Sequence, residues 1–312
     1  MSKKGVGVFI FRRDLRVIDN QGLLNLAKKC KKIVPIFVFS PEQIISNPYR
    51  SANSIRFMIE SLRELNIALS DTLRCYQGND VEIIKKIVES EDISVVGFNR
   101  DWTPYAIERD SRIVKLCQQL SIECLASEDY TLFPMGTLLK HDKSVYQVFG
   151  AFRRYAETQL DSVSKPNNSK IASTMWVKNS DNTLTLEHVQ EELLKYYQKD
   201  LSEKPLVTGG RKHALKNLEL IKTRKFVDYS TKRDSLSYNT THMSSYLKFG
   251  NVSIREMYRA CKKGLPSDSG LFTQLLWKEF YVYLAHYCPR VLQGKSLKEN
   301  NRSLNIFFYY PI

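Results

Sequence analysis

Long apolar runs are missing from this sequence, and so are several motifs that would settle a function at once. No stretch approaches the roughly 20 consecutive apolar residues that cross a bilayer as a helix. The opening Met-Ser-Lys-Lys leads straight into a strand-like run, without the apolar core and small-residue cleavage site of a secretory signal. The six cysteines (30, 75, 117, 124, 261 and 288) include no C-x-x-C pair. That excludes a disulfide scaffold and argues against a zinc site. The five histidines (141, 188, 213, 242 and 286) have no metal-ligand spacing, and no paired catalytic carboxylates or Ser/His/Asp arrangement stands out. Internal repeats and low-complexity tracts are absent too. These absences imply a reduced, intracellular protein, cytoplasmic or nuclear and not secreted. They assign it no resident metal and no catalytic side chain.

Positive charge is what the sequence has in excess. Lys and Arg number 47 against 33 Asp and Glu, a formal net charge of +14. Such an excess suits a polyanionic partner, nucleic acid or an anionic membrane; a Lys-rich surface that serves solubility is the plainer alternative. With 312 residues, 43% of them hydrophobic, the chain can build one large or two ordinary domains.

The first 130 residues alternate short apolar runs with amphipathic stretches. Strands are predicted at Val6–Phe11, Ile33–Ser40, Leu73–Gln77, Ile93–Asn99 and Ile122–Ser127, all continuously apolar as strands buried on both faces must be. Helices are predicted between them: Gly22–Lys29 after Asp19-Asn20, Ser51 to about Ser70, a helix capped by Asp80 and running to Ser90, and Tyr105–Leu120, where Thr103 supplies the cap and Pro104 the first position. The alternation predicts a doubly wound parallel sheet, whose ligands sit beyond the C-terminal strand ends. Phe11-Arg12-Arg13-Asp14-Leu15-Arg16 follows the first strand in place of Gly-x-Gly-x-x-Gly, which argues against ordinary NAD binding. Residues 163–205 read as a polar linker with a short helix near Leu186–Gln198. After Gly209-Gly210 the period becomes helical. Ala214, Leu215, Leu218 and Ile221 form one apolar stripe, with further helices at Met243–Phe249, Ser253–Lys262 and Ser269–Tyr287. Ser253-Ile254-Arg255-Glu256 has the form of a capping box. The division is an α/β domain (1–130), a linker (131–205) and the N-terminal part of an all-α domain (206–312).

Two segments carry chemistry. Thr240-Thr241-His242-Met243-Ser244-Ser245 places hydroxyls and free N–H groups at a helix start, a site for phosphate; ordinary N-capping needs only one of them. In the helix near Leu271–Tyr283, Gln274, Trp277, Lys278 and Tyr281 fall at i, i+3, i+4 and i+7 and share a face. An amide, two aromatics and a cation suit stacking on a flat ligand and pairing with phosphate. A snorkelling helix interface is the structural alternative.

At these residues the sequence resembles the photolyase/cryptochrome family of light-driven flavoproteins. Val8-Phe9-Ile10-Phe11-Arg12-Arg13-Asp14-Leu15-Arg16 with Asp19-Asn20 is similar to that family's N-terminal signature. Asn99-Arg-Asp-Trp-Thr-Pro-Tyr105 with Arg109-Asp110 resembles its fourth strand and following helix. Gly209-Gly210, Tyr229…Arg233-Asp234, Thr240–Ser244, Tyr246-Leu247…Gly250-Asn-Val-Ser253-Ile-Arg255 and Leu276-Trp277-Lys278-Glu279-Phe280-Tyr281 follow in family order. The resemblance implies an α/β domain that holds an antenna chromophore of unknown kind, then a helical domain that binds FAD. By that resemblance Tyr229, Thr240, Thr241, Met243, Ser244 and Lys278 contact FAD; Lys278 stands where the family usually has an Arg. Arg233 touches the DNA backbone, and Gln274, Trp277 and Tyr281 serve the cavity that receives the lesion. The partner implied is UV-damaged DNA, bound by a monomer with its damaged pyrimidines flipped out of the duplex. The resemblance also implies light-driven splitting of the lesion by an electron from reduced FAD. Gln274 is similar to (6-4) photolyases and animal-type cryptochromes, whereas cyclobutane-dimer photolyases often have Glu there. Tyr105 and Ala106 do not support a folate antenna.

The family's flavin domain continues well past residue 312, and the tail after Asn305 has no family counterpart. The expectation is a truncated, inactive chain, completed by a separately encoded C-terminal half if at all. A cryptochrome-like light sensor and a non-enzymatic nucleic-acid binder are the alternatives, as is a diverged, short member with its own ending.

Overall fold

A computed structural model describes residues 3–44, 51–178 and 205–295, together with positions 186, 188, 189, 191 and 192. The tail after 305 and most of the helix expected at 186–198 lie outside the described residues. β1 (Lys4–Phe11), β2 (Cys30–Phe39), β3 (Arg74–Gln77), β4 (Ile93–Asn99) and β5 (Glu123–Ser127) form one parallel sheet in the order β3-β2-β1-β4-β5. β1 is central, with Val8 paired to Val34 on one side and to Val96 on the other. The apolar runs of β1, β2 and β4 have both faces covered, as predicted, whereas the edge strand β5 is half-buried along its length. On one face Phe9, Phe11, Ile33 and Val95 pack with α1 (Gln21–Lys29) and α3 (Ala52–Ala68). On the other, Val8, Ile10, Val34 and Phe98 pack with α4 (Asp80–Ser90) and α5 (Pro104–Gln119). Each fully buried side chain of this size contributes about 1.5–3 kcal/mol. A short α2 (Pro41–Ile44) follows β2.

The helix starts obey local chemistry. Asn20 caps α1 by accepting from Leu23 N–H at 3.1 Å, and Thr103 caps α5 with Pro104 at its first position. The cap of α4 is a correction: Asn79 accepts from Val81 N–H at 2.9 Å, and Asp80 is the first helical residue. There its carboxylate still lies in the first turn, where the helix dipole favours it.

The helical part comprises α6 (Phe149–Thr158), α7 (Arg211–Lys222), α8 (Tyr229–Lys232), α9 (Met243–Lys248), α10 (Ile254–Gly264) and α11 (Gly270–Tyr287). Its core includes Phe152, Leu218, Met243, Tyr258, Leu276 and Tyr283. Ala214, Leu218 and Ile221 of α7 are buried as expected, but Leu215 is exposed, because a three-position stripe already fills the contact face. The capping box of α10 is complete: Ser253 Oγ accepts from Glu256 N–H at 2.9 Å and Glu256 Oε2 from Ser253 N–H at 2.8 Å. Part of the stretch expected to be a linker packs on the sheet. Trp176 is buried in the cluster around β2, and Val177 N–H donates to Ile33 O at 2.9 Å.

The helical part docks on the C-terminal end of β1. Leu15 N–H donates to Phe249 O at 3.0 Å, Arg13 Nε to Lys248 O at 3.2 Å, and Arg16 Nη1 to Gly250 O at 3.2 Å. Gly250 has φ +67, and a Cβ there would lie 2.2 Å from Arg13 O, so glycine is what lets the two backbones meet. Beneath this seam Asp129 accepts from Arg16 at 2.5 Å and from Arg255 at 2.6 Å, while Asp19 accepts from Arg255 at 2.9 Å. All four side chains are at most 6% exposed. Buried charges of this kind survive only when paired and hydrogen-bonded.

Candidate functional site

The seam encloses a cavity of about 700 Å³. It opens where ligands enter doubly wound sheets: at the C-terminal ends of β1, β2 and β4, where the strand order reverses. Its walls come from both parts of the chain: Phe39, Arg12 and Tyr105 from the sheet side, Lys248, Phe249 and Lys278 from the helical side.

Basic side chains in the lining outnumber acidic ones, seven to five. Arg12 follows β1, its guanidinium lies 4.5 Å from the Phe98 ring centroid, and its Nη1 donates to Asp110 Oδ1 at 2.6 Å. Its Nε and Nη2 are buried without a hydrogen-bond partner among the described residues. Burial, then the charge of Arg109, pulls this guanidinium below its ordinary pKa. Arg109 Nε and Nη2 both donate to the same Asp110 Oδ1 at 3.1 Å, so two guanidiniums share one carboxylate. The N-terminus of α5, with Thr103, Pro104, Tyr105 and Ala106, lines the same space. The basic side chains of the lining and the positive end of a 16-residue helix suit an anionic group such as phosphate.

Other charges tune the cavity. Burial would lower Arg13, but Tyr130 and Asp101 hold it firmly protonated; its Nη1 and Nη2 donate to Asp101 at 3.0 Å and to Tyr130 Oη at 2.8 Å. Burial raises both Asp14 and Asp80 above the usual carboxylate range. Burial, with Arg13 beside it, lowers Lys248 to about 8. The lining therefore mixes aromatic and aliphatic surface with a few converging polar groups, as sites for flat organic ligands do.

The residues singled out from the sequence fall in four places. Thr240, Thr241, Met243 and Ser244 lie together at the start of α9. Thr240 is half-buried, Thr241 buried and Ser244 exposed; Thr241 Oγ1 accepts from Met243 N–H at 3.4 Å, while the Met243 side chain packs into the helical core. Tyr229 begins α8 half-buried, and α8 is tied to α11 by Gly270 N–H donating to Ser230 Oγ at 2.9 Å. Arg233 is exposed beside Asp234 at 3.7 Å.

Gln274 and Tyr281 are half-buried on α11. Trp277 stacks on Phe149 with centroids 3.6 Å apart and planes at 10°, and on Tyr281 at 5.4 Å. Lys278 is elsewhere. It lines the sheet-end cavity, its Nζ donating to Tyr130 O at 2.7 Å and lying 3.8 Å from the Tyr130 ring centroid. Arg12 and Arg109 stand inside sequence motifs, while Lys248 falls in the gap between Leu247 and Gly250, and nothing local in the sequence brings the three together. The available signal was Arg12-Arg13 in the place of a glycine-rich turn, at the very strand end where such sheets bind ligands.

A model of the family described as DNA photolyase matches residues 7–170, more than half of the chain. Among curated proteins the chain is 25% identical over 306 residues to cryptochrome-2 of Gallus gallus, covering 90% of this chain and 51% of that one. It is 27% identical over 305 residues to the (6-4) DNA photolyase of Arabidopsis thaliana, covering 89% and 54%. Among solved structures, an archaeal photolyase from Sulfolobus tokodaii described with two FAD molecules superposes with a TM-score of 0.76 at 31% identity, covering 92% of this chain and 60% of that one. The chain thus spans about half the length of the curated relatives it matches. With the expected sheet, helical part and motif order all in place, the chain belongs to the DNA photolyase family.

Proposed function

We propose that this chain is the chromophore-bearing portion of a photolyase that repairs UV pyrimidine lesions in DNA. The observation that carries the reading is the sheet-end cavity, built jointly by the two parts of the chain and lined by an orphaned guanidinium. Such a cavity is suited to a flat, anionic antenna chromophore next to a flavin domain. The archaeal relative, with two FAD molecules, makes a flavin nucleotide the first choice for it. Arg12 and the α5 N-terminus hold the phosphate, and Tyr105 and Phe39 border the ring system.

FAD itself is assigned to Tyr229, Thr240, Thr241 and Ser244, whose hydroxyls, with the first N–H groups of α9, fit a pyrophosphate. Met243 fits less well, since its side chain is committed to the core, and Lys278 serves the antenna side. Reduced FAD, when bound, supplies the electron for lesion splitting on illumination. Arg233 and the basic surface hold the DNA backbone, and Gln274, Trp277 and Tyr281 border the place where the flipped lesion is received. The boundaries at about 130 and 206 remain the proposed division.

About half of each curated relative lies outside the match, and the flavin-dependent reaction is assigned to this chain together with such a further segment. The alone-inactive reading is tested by purifying the chain, alone and with a photolyase C-terminal half, and measuring bound flavin and light-dependent repair of cyclobutane and (6-4) lesions. Repair by the isolated chain overturns it. The likeness to a cryptochrome favours light sensing as the second reading; Gln274 resembles (6-4) photolyases and animal-type cryptochromes alike and does not separate the two, whereas flavin binding without repair of either lesion by the completed protein would support it.

A further inference from the structure

Tyr105 and Tyr130 are the readily oxidised rings of the sheet-end cavity, whose lining includes no tryptophan or cysteine among the described residues. Both have a cation against the ring. For Tyr130 there are two: the Arg13 guanidinium lies 4.6 Å from the ring centroid and Lys278 Nζ 3.8 Å from it. Arg13 Nη2 also donates to Tyr130 Oη at 2.8 Å, and Lys278 Nζ to Tyr130 O at 2.7 Å. For Tyr105 the cation is the Arg109 guanidinium, 5.7 Å from the centroid. All three fall within the about 6 Å over which a ring quadrupole attracts a cation.

Carboxylates anchor these cations: Asp101 lies 3.0 Å from Arg13, Glu279 3.5 Å from Lys278 and Asp110 3.1 Å from Arg109. Among the described residues no carboxylate or histidine is bonded to either tyrosine hydroxyl. Tyr130 Oη has the Arg13 guanidinium as its partner, and Tyr105 Oη lies 3.3 Å from the neutral Ser40 Oγ. The arrangement opposes one-electron oxidation in two ways. Taking an electron from the ring creates a positive charge beside existing ones, a repulsion that grows as separation and dielectric fall. A tyrosine also gives up an electron readily only when its phenol proton has somewhere to go, and a guanidinium offers no acceptor.

We propose that Arg13, Lys278 and Arg109 hold the two tyrosines electron-poor, so that a flavin nucleotide in this cavity keeps its excitation instead of losing it to electron transfer. This holds for the cavity as an antenna site, the reading on which it rests. The step suppressed is a one-electron transfer. An electron leaves the Tyr130 or Tyr105 ring for the photoexcited flavin, the tyrosine is oxidised, the flavin is reduced, and the phenol proton passes to solvent. The return of the electron and a proton then releases the energy as heat. An antenna that did this would pass nothing on, so its pocket requires rings that border a flat ligand without donating to it. Lys278 carries the largest share, being the nearest of these charges to either ring. It acts across the seam, from α11 of the helical part onto Tyr130, which follows β5.

The test loads the whole chain with flavin mononucleotide, reads binding by equilibrium dialysis and reads the fluorescence lifetime of the bound flavin separately. In the wild-type chain that lifetime should stay within about twofold of free flavin mononucleotide. Lys278→Met, which keeps an unbranched stem and removes the charge, should shorten it at least about threefold, and Lys278→Arg should not. Tyr130→Phe in the Lys278→Met chain should restore it, because the phenyl ring does not donate; a loss of packing alone would not be rescued in this way. The wild-type lifetime does not depend on any variant folding. A strongly quenched flavin in the wild type, an unchanged lifetime in Lys278→Met, or a shortening that survives Tyr130→Phe overturns the proposal. A wild-type chain that binds no flavin mononucleotide overturns the antenna reading itself, and the proposal with it.

Discussion

Arg12 Nη1 donates to Asp110 Oδ1 at 2.6 Å, yet the other two nitrogens of the same guanidinium are buried without a hydrogen-bond partner among the described residues. An orphaned buried donor is costly, and a ligand anion that meets it recovers that cost together with a charge-assisted bond. Arg12→Gln should therefore weaken a phosphate-bearing flavin more than riboflavin, which has no phosphate. A loss of about 1.5–3 kcal/mol is expected, roughly 10- to 100-fold in Kd. Titration followed by flavin fluorescence measures both ligands; equal losses for the two would show that Arg12 does not face the phosphate.

Lys248 gives the same cavity a pH dependence. Burial and Arg13 lower it to about 8 from an ordinary 10.5, so the folded protein gives up this proton before the unfolded chain does. The penalty is fully present below pH 8 and is relieved as pH rises from about 8 toward 10.5. Lys248→Met should stabilise the chain at pH 7, by on the order of 1 kcal/mol, and the gain should shrink above pH 9. A bound anion restores the charged form. Flavin-nucleotide affinity should accordingly fall as pH rises through 8, with proton uptake on binding at pH 8.5 seen by calorimetry in buffers of different ionisation enthalpy.

Asp129 is the centre of the seam's ion cluster. Burial alone would raise its carboxyl, but Arg16 and Arg255 hold it below the usual range. Its stabilising contribution is thus complete above the ordinary carboxylate pKa of about 3.9 and is lost as pH falls through the lower folded value. Asp129→Asn leaves two buried guanidiniums short of a charge and should cost about 3–5 kcal/mol at pH 7. Urea denaturation of both proteins between pH 3 and 7 checks the sign: the gap should narrow toward acid.

Much of this architecture was legible because the burial rule is local. β4 spans the predicted Ile93–Asn99, and the Thr103-Pro104 start and the Ser253–Glu256 capping box appear as written. The choice between Asn79 and Asp80 as a cap was not legible, since both side chains can cap and the backbone decides between them. Lys278 shows a different limit. Helical periodicity places its Cα near Gln274 and Trp277, but a four-carbon stem lets the ammonium reach Tyr130 on the other part of the chain. The cavity was hidden for the same reason: Arg12 and Lys248 lie 236 positions apart, and only the docking at Gly250 brings them together.

Trp277 needs separating into its structural and its ligand-binding parts. One face of the indole lies against Phe149 and another contact is made by Tyr281, while Phe280 packs edge-on at 5.7 Å. The ring thereby joins α6 to α11. Trp277→Ala should cost about 3 kcal/mol of stability by leaving this stack without its central ring. Trp277→Phe, which keeps an aromatic ring against Phe149, should cost less than about 1.5 kcal/mol. The double-mutant cycle with Phe149→Leu should give a coupling of about 0.5–1.5 kcal/mol. A repair defect in Trp277→Phe, in a completed protein of near-wild-type stability, would then belong to lesion recognition and not to folding. A coupling energy near zero would mean that the stack adds nothing to the fold and that Trp277 is free to serve a ligand alone.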